Sequence, residues 1–116
     1  MPNTRPTPQK ISELVEEWRQ KLIDLTLSLV KFRTETYVGV SLKGRPIPEG
    51  QLKSLNYLSS LFETLGLSVQ TWETKVGYRC LVGVWKGSGG GRSLLFNGHM
   101  DTVPLGGVSA WTVNPW

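Results

Sequence analysis

One histidine and one cysteine in 116 residues leave this sequence short of the side chains that most often hold metals or act as nucleophiles. A catalytic zinc takes about three protein ligands and keeps one position open for water. His99 and Cys80 cannot supply such a set by themselves. A single cysteine also excludes a disulfide within the chain, which fits a reducing compartment. Cys80 lies in the apolar stretch Tyr78 to Trp85, where a buried structural thiol is the expectation rather than a nucleophile. No apolar run approaches the roughly 18 residues that a membrane span needs. The first ten residues are polar and hold Pro2, Pro6 and Pro8, so they lack the apolar core of a signal peptide. A soluble, cytoplasmic protein with no membrane partner is expected. Charge of one sign is never concentrated: 13 Lys and Arg against 9 Asp and Glu give +4, scattered from Arg5 to Arg92. That pattern is a solvated surface, and no nucleic-acid partner is expected.

What is present makes at most one small domain, or part of a larger one. Residues 1–10 read as a loosely attached or disordered tail, and residues 11–116 as a single structural region. Ile11, Leu14, Val15, Trp18, Leu22, Leu25, Leu29 and Phe32 recur at steps of three and four, which predicts a helix with Ser12 as its N-cap. Glu13, Glu16 and Glu17 near its start and Lys31 and Arg33 near its end suit the helix dipole. Thr34, Gly39, Gly44, Pro46 and Pro48 mark the following segment as a loop. A second leucine stripe, Leu52 to Leu65, predicts another helix closed by Gly66 in the left-handed region. Alternation through Leu67, Val69 and Thr71, and again through Tyr78, Cys80, Val82 and Val84, predicts two strands joined by a turn at Thr74 to Gly77. The glycine run Gly87 to Gly91 lacks the lysine of a phosphate loop and leads toward a strand, so it is a connection. The order of elements implies an α/β fold.

The stretch Leu94-Leu95-Phe96-Asn97-Gly98-His99-Met100-Asp101-Thr102-Val103-Pro104 carries the chemistry. Its apolar run and abrupt glycine predict a buried strand over Ser93 to Gly98 that ends at a turn. In open α/β sheets ligands gather just beyond the carboxyl ends of strands. His99 and Asp101 fall there, and on extended backbone residues i and i+2 share a face. A metal-bound imidazole usually gives its other ring N–H to a carboxylate or carbonyl. Asp101 is placed to serve in this way as long as Met100 is extended. A lone His beside an Asp is, on spacing alone, more often a structural pair.

The run Gly98-His99-Met100-Asp101-Thr102-Val103-Pro104, followed by Trp111 and Asn114-Pro115-Trp116, resembles the first metal-binding motif of a zinc-dependent peptidase and deacylase family. Its members include acetylornithine deacetylase, succinyl-diaminopimelate desuccinylase, aminoacylase and carboxypeptidase G. The family's Asp-Pro-Phe stands here as Asn114-Pro115-Trp116. The resemblance implies an incomplete catalytic domain in which two amino-terminal helices pack on a mixed β-sheet. It implies metal-assisted hydrolysis of an amide bond in an N-acyl amino acid or small peptide, with zinc or cobalt, two ions per site in the complete parent. His99 is then a metal ligand, and Asp101 its catalytic support. The family completes its site with later carboxylates and a distant histidine, none of which maps onto this chain. An amino-terminal fragment, inactive alone, is therefore expected, and the parent is allowed to be a homodimer. The segment after the first helix often borders the family's site, which would bring Thr34 and Thr36 toward substrate. A solvated connection is the alternative for those two residues. For the whole chain, the alternative is a non-enzymatic remnant or interaction module without metal chemistry.

Overall fold

The computed structural model describes residues 6–36 and 44–116. These fall into two compact units, one ending at Lys31 and the other starting at Phe32. The first is helix α1, Pro8–Val30. It starts three residues earlier than the apolar period suggests, and its N-cap is Thr7 rather than Ser12. The reason is local. Thr7 is extended at ψ 156°, and its hydroxyl accepts from Lys10 N at 3.2 Å. Pro8 follows as the first helical residue, where a missing N–H costs nothing and φ is already set. Ser12, one turn in, instead donates its hydroxyl to Pro8 O at 3.2 Å. This start leaves Glu13, Glu16 and Glu17 beyond the first turn, so their favourable dipole placement is lost. Glu16 and Arg19 form a two-pronged ion pair at 2.8 and 2.5 Å, which lowers the Glu16 carboxyl and raises the Arg19 guanidinium. Both are exposed, so the pair contributes little to stability.

In the second unit, helix α2 spans Glu49–Thr64. Lys53 reaches back one turn to Glu49 at 2.6 Å and holds that carboxyl below its usual range. The far end closes as the period predicts. Gly66, at φ +81°, donates to Glu63 O at 2.9 Å, and Leu67 donates to Phe62 O at 2.9 Å. That pair of bonds is the Schellman closure, for which a residue without Cβ is best suited. Strands β1 (Ser68–Glu73) and β2 (Arg79–Val84) then pair antiparallel, with Trp72 opposite Cys80 and Val69 opposite Gly83. Their turn is held by Thr74, which bonds Tyr78 through both backbone and hydroxyl, at 2.8 and 3.0 Å. α2 packs on both strands. Gly83 marks the closest approach: a Cβ there would lie 2.6 Å from Phe62 and 2.7 Å from Leu67.

Two helices with a two-stranded sheet make this an α/β chain. The sheet itself is antiparallel, and among the described residues parallel pairing is confined to one bridge between Glu35 and Thr102. Ser93 to Gly98 is not a strand: Leu94, Leu95 and Phe96 are 78%, 79% and 86% exposed. A run that is apolar on both faces is stable as a strand only between neighbours and under cover on each side. No described residue pairs with it. Among the described residues the buried set is small: Leu55 and Gly77 with the polar Thr34, Thr36 and Ser54. No helix is long and apolar enough to cross a membrane among the described residues.

Candidate functional site

Three of those five buried residues, Thr34, Thr36 and Ser54, are polar, and the first two hold the segment that carries His99. The chain turns through the left-handed region at Arg33, φ 54°, and then runs alongside residues 100–105. Thr34 donates its hydroxyl to Met100 O at 2.6 Å and accepts from Thr102 N at its own carbonyl, at 3.1 Å. Thr36 N donates to Thr102 O at 2.8 Å. Between the two threonines Glu35 turns the other way, and its carboxylate accepts Leu105 N at 3.0 Å. This is the alternation of a short strand, with both threonine side chains on the buried side. A solvated connection does not describe the two threonines. They are 5% and 9% exposed; Thr34 spends its hydroxyl on the backbone of the loop, and Thr36 turns its hydroxyl to Thr34 O and the Gln51 amide.

α2 steadies that short strand from its other side. The Gln51 amide donates to the Thr36 hydroxyl, and Ser54, fully buried, donates to Gln51 O at 3.0 Å. Gly50 lies against the carbonyl oxygens of Phe32 and Arg33, so closely that a Cβ would fall 2.0 and 2.6 Å from them. Phe32 and Tyr57 meet at a ring separation of 5.5 Å, and Arg33 stacks over Trp116 at 5.6 Å. Trp111 donates its indole N–H to Leu105 O at 3.4 Å. Glu35, Gln51, Ser54 and Trp111 were not singled out as supports from sequence. The Thr-Glu-Thr alternation was the one available signal for the first of them.

His99 and Asp101 come together on this loop. The ring nitrogen Nδ1 lies 2.9 Å from the Asp101 backbone oxygen and 3.1 Å from its carboxylate Oδ1. Both neighbours are acceptors, and a carbonyl can be nothing else. Nδ1 therefore carries the proton and donates to both, which leaves Nε2 with a lone pair. No described residue engages Nε2. The imidazole is 83% exposed and the carboxylate side chain 44%. A pair so open to water contributes little to holding a fold. Its chemical product is an oriented ring that presents one basic nitrogen outward.

No group of three or more His, Cys, Asp or Glu side chains converges as a metal cage among the described residues. The donors present thus fit one arm of a metal centre and not a whole one. Cys80 is a free thiol on β2 and half-buried, apart from this loop in every contact described.

The chain is 33% identical over 94 residues to succinyl-diaminopimelate desuccinylase 2 of Ruegeria sp. (strain TM1040), an alignment covering 81% of this chain and 20% of that protein. A 32-residue stretch, 28% of the chain, is 53% identical to the succinyl-diaminopimelate desuccinylase of Ruegeria pomeroyi (strain ATCC 700808 / DSM 15171 / DSS-3) and covers 8% of it. The chain thus spans 20% of the length of the first relative and less of the second. No family model and no solved structure matches it. The likenesses support the peptidase and deacylase family in the broad sense.

Proposed function

We propose that this chain is the amino-terminal part of a metal-dependent hydrolase that cleaves an amide bond in N-acyl amino acids or small peptides. His99 binds the metal through Nε2, and Asp101 orients the ring. The observation that carries this reading is the ring itself: it is exposed, it is held by two acceptors at Nδ1, and Nε2 is left open. The names of the two desuccinylase relatives support the deacylase class. Zinc or cobalt, two ions per site in the whole enzyme, a cytoplasmic location and a homodimeric parent accompany the proposal. When bound, the metal would polarise the scissile carbonyl and make its water a much stronger acid. The part played by these residues is narrower. Asp101 fixes the tautomer and direction of His99, and Thr34, Glu35 and Thr36 hold the loop on which both sit.

The division of labour at Nδ1 sets the expected size of one substitution. Asp101→Asn leaves the backbone oxygen of residue 101 as an acceptor, so the ring keeps its tautomer while losing the charged partner. Metal affinity or kcat/KM of the complete enzyme should fall by about 10- to 100-fold with the fold intact. Equal activity of the two proteins would make Asp101 a bystander.

The 116-residue chain itself should show no amidase activity and only weak metal binding, because one imidazole is not a catalytic ligand set. Chain loaded with zinc or cobalt is assayed against N-succinyl and N-acetyl amino acids, with metal content measured after dialysis. Turnover together with about one tightly held metal per chain would overturn this, unless a dimer supplied ligands across its interface. An interaction module is the second reading, and the exposed Leu94-Leu95-Phe96 favours it. It predicts that Phe96→Asp disrupts association with a partner and that His99→Ala changes nothing.

A further inference from the structure

We propose that Thr34 is the positioning residue for His99, acting through the Asp101–Thr102 peptide unit; the inference rests on the reading of His99 as a metal ligand. Thr34 holds the chain on both sides of Asp101. Its hydroxyl donates to Met100 O, at 2.6 Å, and its carbonyl accepts Thr102 N, at 3.1 Å. The first bond fixes the peptide before Asp101 and the second fixes the peptide after it. Between them they set both backbone torsions of Asp101. The chain contains no cis peptide bond among the described residues. In a trans unit the N–H and C=O point in opposite directions. With Thr102 N–H turned to Thr34, the carbonyl of Asp101 faces the other way, where it accepts from His99 Nδ1 at 2.9 Å. One peptide plane thus joins the buried threonine to the exposed ring.

The same torsions place the Asp101 carboxylate, which lies 3.1 Å from Nδ1. Thr34 therefore governs both acceptors that hold the proton on Nδ1 and the lone pair on Nε2. Its burial, at 5% exposure, keeps water from competing for Met100 O and Thr102 N. Thr36 shares the bridge, but its hydroxyl accepts from the Gln51 amide and donates to Thr34 O at 3.5 Å, so its side chain steadies the short strand and makes no bond of its own to the loop of His99. The two threonines have the same chemistry and different jobs.

His99 is the only histidine, so its ring nitrogens can be read without overlap in long-range 1H–15N correlation spectra of the intact chain. The comparison uses Thr34→Val, Thr34→Ser and Thr36→Val, at a pH well above the ordinary imidazole range. Wild type should show one tautomer, with the proton on Nδ1. Thr34→Val should lose that signature and move to a mixture, with zinc binding at the ring weakened by about 10-fold. Thr34→Ser, which keeps the hydroxyl, should restore the single tautomer, and Thr36→Val should disturb it less than Thr34→Val does, because Thr36 bonds the loop through its backbone N–H, which valine keeps. A folded Thr34→Val with the wild-type ring pattern would overturn the proposal, as would equal loss in Thr36→Val. Should Thr34→Val fail to fold, the wild-type Thr34 hydroxyl proton decides: slow exchange with a cross-peak to the 100–101 segment supports it, and free exchange rejects it. A zinc titration separates the two levels. If Nε2 of wild type does not respond even to a large excess of zinc, as a weak site still should, the metal-ligand reading fails, whatever the tautomer comparison returns.

Discussion

His99→Ala is expected to strip the metal site of its first ligand and to abolish turnover in the complete enzyme. Outer-shell partners of a metal ligand typically contribute 10- to 100-fold. Loss of the ligand itself should exceed about 100-fold, because it removes the coordinating nitrogen as well as its orientation. The fold has no stake in the change: the ring is 83% exposed and, among the described residues, its bonds run only to Asp101. Circular dichroism and the thermal midpoint should therefore match wild type while metal stoichiometry and hydrolysis of N-acyl amino acids collapse. That separation of stability from activity is what a purely structural pair cannot produce. Full metal content with normal turnover in the alanine protein would sink the assignment.

Gly50→Ala tests the support behind the site, and its sign is diagnostic. In an ordinary helix position the change from glycine to alanine stabilises by roughly 1 kcal/mol. Here the new Cβ would lie 2.0 Å from Phe32 O and 2.6 Å from Arg33 O, and both are backbone atoms that no rotamer change can move. Overpacking of this kind costs about 1–3 kcal/mol, and more where the backbone must give way. Sterics should win, with a net loss of about 2 kcal/mol and a lower urea midpoint. The displaced segment leads straight into Thr34, so the single-tautomer signature of His99 should be lost as well. A rise in the urea midpoint would show that α2 and the Phe32–Thr36 segment are not in the contact described.

Where the sequence was informative, the interactions concerned were close in the chain. The leucine stripe of α2, the Gly66 cap and the hairpin turn at Thr74 to Gly77 each rest on partners within a few residues. The proximity of His99 and Asp101 was legible for the same reason, since an i, i+2 spacing on extended backbone leaves little freedom. The backbone oxygen of Asp101 as a second acceptor was not, because a carbonyl belongs to every residue and marks none. Nor was the start of α1, where the Thr7 and Pro8 capping chemistry outweighed the apolar period. The strand expected over Ser93 to Gly98 shows the limit of composition. Three apolar residues state a preference for burial, but burial requires neighbours, and no described element lies beside them. The bridge between Glu35 and Thr102 had no periodic signature, for it is one rung long.

That single rung has a consequence for the order in which the molecule assembles. The bond from Thr34 to Met100 spans 66 residues, whereas the hairpin turn bond from Tyr78 to Thr74 spans four. Loop closure grows in cost as the logarithm of length, which places the long closure about 2 to 3 kcal/mol behind the short one. The hairpin and α2 can form early, and the ring of His99 is aimed last. On the return path it is released first, while the hairpin still stands. An ion that binds only the aimed ring would draw the closure forward by mass action, tightening the Thr34 rung as it occupies Nε2. Cation and loop would then stabilise one another, each acting as the other's latch.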